Sequence, residues 1–191
     1  MNSKENSRTS DNIAAVSFSH RNGMVFVNVD NTHAQAEISL YGGHVMRYQP
    51  HGQPPVLWMS EYCVFEPGKP IRGGIPVCWP WFGPHPEGKP AHGLARVQPW
   101  QLDRVTIATD GATVLSLSLE DGASTRSQWD YAFRLELEVT VGKELIIKLT
   151  SINKDHRPMV ITEALHTYFT VGDIRQLRVT GLDQCEYLDK V

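Results

Sequence analysis

Two arginines and two histidines stand within a single stretch rich in Gly and Pro, residues 71–103. Arg72 belongs to "IRGG", while His92 and Arg96 belong to "AHGLAR". Gly and Pro interrupt regular structure, so the stretch is predicted to be a loop. Two guanidinium groups on one loop suit a phosphate or a carboxylate, and glycine lets the backbone approach such a ligand closely. For arginines considered alone, two solvated surface side chains are the commoner arrangement.

His92 and His166 are candidates for proton transfer, because a histidine titrates near neutral pH. His92 is flanked by Gly in the loop, where a hydrogen bond to a backbone carbonyl is the commoner role for such a residue. His166 lies in "ALHTYF", where two-residue alternation would place Ala164, His166 and Tyr168 on one face. That face is either a satisfied part of the core or the floor of a cleft.

The loop also carries several tryptophans, of which Trp81 in "WPWFG" is our candidate for stacking on a sugar ring. Tryptophan more often simply fills space in a core. Cys78 is a poor candidate nucleophile, because "PVCWP" supplies no basic neighbour that would lower the pKa of its thiol. The segment "YGGH" lacks the spacing and the Lys of a phosphate-binding loop.

No metal site is predicted, because the loop histidines lack the spacing of known metal motifs. They are His44, His51, His85 and His92. The chain also has three cysteines and no C-x-x-C pair, so we expect no disulfide framework and a reducing compartment.

Composition limits the class of protein. The chain has 191 residues, of which 41% are hydrophobic and 20% charged, with a formal net charge of -3. This is an ordinary globular composition, and its charge argues against a broad nucleic-acid surface. Residues 1–12 are polar, so we expect a disordered tail rather than a secretory signal. With no apolar run of about 18 residues, we expect a cytoplasmic protein without membrane contact.

Two-residue alternation dominates the rest of the chain. In "FRLELEVTV", at 133–141, apolar and polar residues alternate, and after the turn "GKE" the alternation resumes at Leu145. This pattern predicts a β-hairpin. Similar patterns in "MVFVNVDN", "AQAEISLYGGHVMRY", "ATVLSLSLE" and "MVITEALHTYFTV" predict further strands, although "ITEALHTYF" alone also suits a short helix. We therefore predict an antiparallel sandwich or barrel over residues 13–191, with no long amphipathic helix.

The strings "IRGGIPVCWPWFGPHP", "PAHGLAR", "EALHTYFTVGDI" and "GLDQCEYLDK" together resemble the glucose-6-phosphate 1-epimerases of the aldose 1-epimerase superfamily. The resemblance runs from about "AEISLYGGHV" to the last residue. It implies a galactose-mutarotase-like β-sandwich with a sugar cleft on one sheet. It also implies that a hexose 6-phosphate is the partner, that its α and β anomers interconvert, and that neither metal nor organic cofactor takes part.

The resemblance assigns roles to individual residues. His166 matches the family's catalytic His, the proton donor to the ring oxygen, and His92 matches the second active-site His. Arg72 and Arg96 match phosphate-binding positions. Asp189 matches the "Y-x-D-K" element and joins Trp81 in the expected substrate-binding set, without an assigned role.

The family's catalytic Glu and a sugar-binding Asp follow the "Y-x-D-K" element. Since this chain ends at Val191, and no closing strand is visible in "CEYLDKV", we expect it to represent the first two-thirds of the family's fold and to be a poor enzyme alone. The alternative function is a non-catalytic sugar-phosphate binding or regulatory module on the same fold. The general base, the preferred hexose phosphate and the oligomeric state stay open.

Overall fold

The computed structural model describes residues 15–186 and consists mainly of two antiparallel sheets. In the first sheet the strands follow chain order: β1 (Val16–Arg21), β2 (Met24–Asp30), β3 (Ala34–Ser39) and β4 (His44–Pro50). A two-residue strand, β5 (Val77–Cys78), comes next. The second sheet also follows chain order: β6 (Gln101–Ile107), β7 (Thr113–Glu120), β8 (Phe133–Val141) and β9 (Leu145–Asn153). A last short strand, β10 (Ala164–Leu165), pairs with β5. The predicted mainly β fold is therefore confirmed.

Helix contributes little to the described residues. It comprises the four-residue α1 (Ala123–Arg126) and two 3₁₀ turns, Ala95–Val97 and Ile174–Gln176. Within the same range, no helix combines the length and the apolar character that crossing a bilayer requires. The expected tail at residues 1–12 and the candidate Asp189 lie outside the described residues.

The alternation in β8 places its apolar residues in the core between the sheets. Phe133, Leu135, Leu137, Val139 and Val141 are all buried, with exposures of 1% or less. The predicted hairpin is present, because β8 pairs with β9 from Phe133↔Asn153 to Val141↔Leu145. Residues of β2, β3 and β4 pack against the same core, and the Tyr48 hydroxyl donates to the Gly142 carbonyl at 3.0 Å.

The segment predicted as one strand from "MVITEALHTYFTV" is a strand only at β10. Beyond β10 the chain continues alongside the same neighbouring segment, with His166 N–H donating to the Pro76 carbonyl and Tyr168 N–H to the Gly74 carbonyl. Pro76 has no N–H to return, so the ladder is interrupted opposite His166. The local helix that "ITEALHTYF" also suits is absent from this part of the described chain.

Candidate functional site

Three segments far apart in sequence meet at one junction of backbone hydrogen bonds. Trp58 N–H donates to the Tyr168 carbonyl, Tyr168 N–H to the Gly74 carbonyl and Gly74 N–H to the Trp58 carbonyl, at 2.9, 2.9 and 2.7 Å. Gly73 and Gly74 both have positive φ, and a Cβ on Gly74 would lie 2.4 Å from the Val45 carbonyl oxygen. Glycine is therefore required for this close approach of the chains.

Arg72 and Arg96 both line a cleft of about 390 Å³ beside this junction. Its walls are Trp58, Ser60, Pro70, Ile71, Arg72, Gly73, Pro76, Arg96 and Tyr168. No Asp or Glu is among these described lining residues, so the cleft presents two cations without a carboxylate. Such a cleft favours an anionic ligand.

Arg96 is partly buried, and burial lowers the pKa of its guanidinium group, while the neighbouring Cys78 and Tyr168 act in the opposite direction. Its Nη2 donates to the Ala91 carbonyl at 2.6 Å, whereas its buried Nε has no hydrogen-bond partner within residues 15–186. A buried charged donor without a partner costs free energy.

A second depression, on the outer face of the second sheet, also contains an arginine, Arg134. Its guanidinium group is already bonded to Glu136, Glu120 and Asp103, at 2.9, 2.7 and 3.2 Å. An anion there would have to compete with three carboxylates. The cleft of Arg72 and Arg96 is therefore the better candidate site.

His166 and His92 lie next to each other near this cleft, with ring centroids 6.0 Å apart. The His166 ring is 4.8 Å from the ring of Tyr168, which lines the cleft and is 38% exposed. The face shared by His166 and Tyr168 therefore borders the cleft rather than the core. The Nδ1 atom of His166 is buried, and no described residue gives it a hydrogen bond.

The local fold fixes the orientation and the tautomer of His92. Its backbone has a φ of +64°, and a Cβ on the following Gly93 would lie 2.0 Å from the Trp79 carbonyl oxygen. Gly83 N–H donates to His92 Nδ1 at 3.2 Å. The neutral ring therefore carries its proton on Nε2.

Trp81 is buried among protein groups and is not among the lining residues of the cleft. Its Nε1–H donates to the Pro90 carbonyl at 2.9 Å, and its ring lies 4.6 Å from that of His85. A sugar-stacking role for Trp81 stays a prediction. The aromatic side chains on the cleft wall are instead those of Trp58, which is 46% exposed, and Tyr168, whose ring lies 6.0 Å away. Sequence reasoning missed Trp58, whose only signal is a large ring beside the prolines of "QPPVLW".

His44 was also missed as a site residue. It is 1% exposed, and its Nε2 lies 2.8 Å from the Gly73 carbonyl oxygen, next to Arg72 in the chain. Burial lowers the pKa of His44 to about 4, and the nearby charge of Arg96 acts in the same direction. Burial likewise raises the pKa of the Cys78 thiol, which disfavours the thiolate. The described chain holds no group of three or more His, Cys, Asp or Glu residues suited to a metal ion.

Comparison with known proteins shows extensive similarity. The family model described as "Aldose 1-epimerase" matches residues 26–191. Two curated relatives are named "Putative glucose-6-phosphate 1-epimerase". The one from Salmonella typhimurium is 39% identical over 164 residues, and the one from Escherichia coli is 42% identical over the same length. In both cases the match covers 85% of this chain and 54% of the relative, so the chain spans about half the length of the curated relatives it matches.

A solved crystal structure has a fold similar to that of this chain. The crystal structure of a "putative mutarotase (YeaD)" from Salmonella typhimurium superimposes with a TM-score of 0.79 at 36% sequence identity. The superposition covers 84% of this chain and 53% of that one.

Proposed function

Since the chain belongs to the aldose 1-epimerase family, we propose that it binds a hexose 6-phosphate between Arg72 and Arg96 and serves in interconverting the α and β anomers of that sugar. The names of the two curated relatives support glucose 6-phosphate as the substrate. The observation that carries the proposal is the cleft, whose described lining includes two arginines and no carboxylate and which lies beside a pair of histidines.

We assign the binding of the substrate's phosphate group to Arg72 and Arg96. Each charge-assisted hydrogen bond from a guanidinium group to a phosphate oxygen contributes about 1.5–3 kcal/mol. Arg96 is the stronger anchor of the two, because its guanidinium group is partly buried and its hydrogen bonds to an anion are less screened by water. Arg72 is exposed on the wall of the same cleft and adds a second guanidinium group that can donate to the phosphate.

The reaction requires two proton transfers. A base removes the proton of the C1 hydroxyl, and an acid protonates the ring oxygen as the C1–O5 bond breaks. The open aldehyde then rotates, and closure on its other face gives the other anomer. We assign the acid to His166, whose ring lies beside the cleft residue Tyr168, and the binding of sugar hydroxyls to the adjacent His92.

The base is not assigned to a described residue, because the described lining of the cleft contains no carboxylate. Glu163 precedes His166 by three positions, but its carboxylate accepts a hydrogen bond from Ser151 Oγ at 3.2 Å and is not among the lining residues.

The test measures anomer exchange of glucose 6-phosphate by NMR magnetisation transfer in the wild type and in His166→Asn. Loss of a positioned proton donor is expected to slow protein-catalysed exchange about 10²–10⁴-fold while substrate affinity is kept. Exchange at the wild-type rate in His166→Asn would remove His166 from the mechanism. Tight binding by the wild type without any exchange above the buffer rate would favour the non-catalytic sugar-phosphate binding module instead.

A further inference from the structure

The turn of residues Tyr41, Gly42, Gly43 and His44, here termed the YGGH turn, joins β3 to β4 and touches both loops that carry the cleft arginines. We propose that the YGGH turn positions Arg72 and Arg96 relative to each other and thereby sets the preference of the site for a phosphate ester. This inference rests on the proposed function, and it assigns the turn a positioning role without contact to the substrate.

On the Arg96 side, the turn contacts three successive residues of the chain. Gly42 N–H donates to the Gln98 carbonyl at 2.8 Å, and the Tyr41 hydroxyl donates to the Val97 carbonyl at 2.6 Å. Gly42 has a φ of +87°, and a Cβ on it would lie 2.7 Å from the Arg96 carbonyl oxygen. The glycine therefore lets the backbone of Arg96 rest directly on the turn.

On the Arg72 side, the turn supplies a donor that the neighbouring strands do not. The carbonyls of Arg72 and Gly74 accept backbone N–H bonds from the adjoining segments, at 3.2 and 2.9 Å. The Gly73 carbonyl between them accepts from the buried His44 Nε2 at 2.8 Å. Without that donor, a buried carbonyl directly after Arg72 would lose its partner, so the loop would be expected to shift.

One atom of the turn bonds to both loops at once. The Tyr41 hydroxyl accepts from Gly68 N–H at 2.6 Å, four residues before Arg72, while it donates to the Val97 carbonyl. Its two hydrogen bonds span the gap between the loops. Burial favours the neutral state of His44, so the ring donates to the Gly73 carbonyl without adding a positive charge near Arg96.

The chain offers matched variants to test this role. Gly42→Ala places a methyl group against the Arg96 backbone, whereas Gly23→Ala has similar left-handed strain, with a φ of +78°, and no atom within 4 Å of its Cβ. Tyr41→Phe removes the bridging hydroxyl and keeps the ring. His44→Leu removes the donor to Gly73, and His44→Gln keeps an N–H at about the reach of Nε2.

The measurement is calorimetric or NMR titration of each variant with glucose 6-phosphate and with glucose, after its melting temperature has shown that it folds. We expect the dissociation constant for glucose 6-phosphate to rise about tenfold in Gly42→Ala, Tyr41→Phe and His44→Leu, with glucose affinity unchanged. Gly23→Ala and His44→Gln should stay within roughly threefold of the wild type.

Two results would overturn the inference: wild-type affinity for glucose 6-phosphate in Tyr41→Phe and Gly42→Ala, or an equal loss of affinity for both sugars. Tyr41→Phe is nearly isosteric, so it keeps the test decisive should Gly42→Ala fail to fold. A wild-type protein that binds glucose 6-phosphate no better than glucose would instead contradict the proposed function, and this inference with it.

Discussion

Arg96 and His44 show how burial changes what a residue type can do. The sequence identified Arg96 as a candidate anion ligand, but a solvated surface arginine remained the commoner alternative. The structure places its Nε in a buried position without a partner among residues 15–186. No sequence pattern identified His44, because a histidine after two glycines looks the same whether it is exposed or buried. A local stretch of sequence shows which residue types are present. Whether those residues are buried depends on other segments of the chain that pack against them.

The buried His44 predicts a specific pH dependence of stability. Its pKa is lowered from 6.5 to about 4, so the imidazole stays neutral in the folded protein over that range. Below pH 6.5 the unfolded chain takes up a proton that the folded protein does not, so stability is lost as pH falls from about 6.5 to about 4. This difference in pKa between the unfolded and folded states corresponds to roughly 3 kcal/mol of stability across this window.

Urea unfolding at pH 7.5 and pH 4.5, in the wild type and in His44→Gln, measures this contribution. Glutamine does not titrate, so the loss of unfolding free energy between the two pH values should be about 2–3 kcal/mol smaller in the variant. The same loss in both proteins would show that His44 is protonated without cost in the folded state.

At the scale of elements, strands with clean alternation were predictable and the site segments were not. The sequence placed β7, β8 and the β8–β9 hairpin correctly, because each has one buried and one solvent-facing side. The segment around His166 alternates too, yet β10 is only two residues long, since Pro76 interrupts the ladder opposite it. Alternation indicates which face of a strand is buried, but it does not indicate whether the neighbouring segment can supply every hydrogen bond of the ladder.

The inward face of β8 is expected to be sensitive to substitution. Leu137 is 1% exposed in the core between the sheets, so Leu137→Ala should lower the free energy of unfolding by about 2–5 kcal/mol. Its neighbour Glu138 is exposed on the opposite face, across from Lys148. Glu138→Ala should therefore cost no more than about 1 kcal/mol. Equal costs in denaturant titrations would contradict the assigned faces of β8.

At the scale of the whole molecule, the cleft arises from segments separated by more than 100 residues. Four wall residues meet there because Gly73, Gly74, the YGGH turn and the backbone junction hold their loops in contact. They are Trp58, Arg72, Arg96 and Tyr168. None of these contacts follows from a local pattern. The sequence could nominate Arg72, Arg96, His92 and His166 through residue type and family resemblance, but Trp58 on the cleft wall required the fold.

The central claim is that Arg72 and Arg96 together hold the phosphate of a hexose 6-phosphate. A crystal structure of the protein soaked with glucose 6-phosphate tests it most directly. The claim predicts phosphate oxygens about 2.7–3.0 Å from guanidinium nitrogens of both arginines, with the sugar ring extending towards His92 and His166. A phosphate bound elsewhere, for example at Arg134 on the outer face, or a sugar in the cleft whose phosphate touches neither arginine, would contradict it.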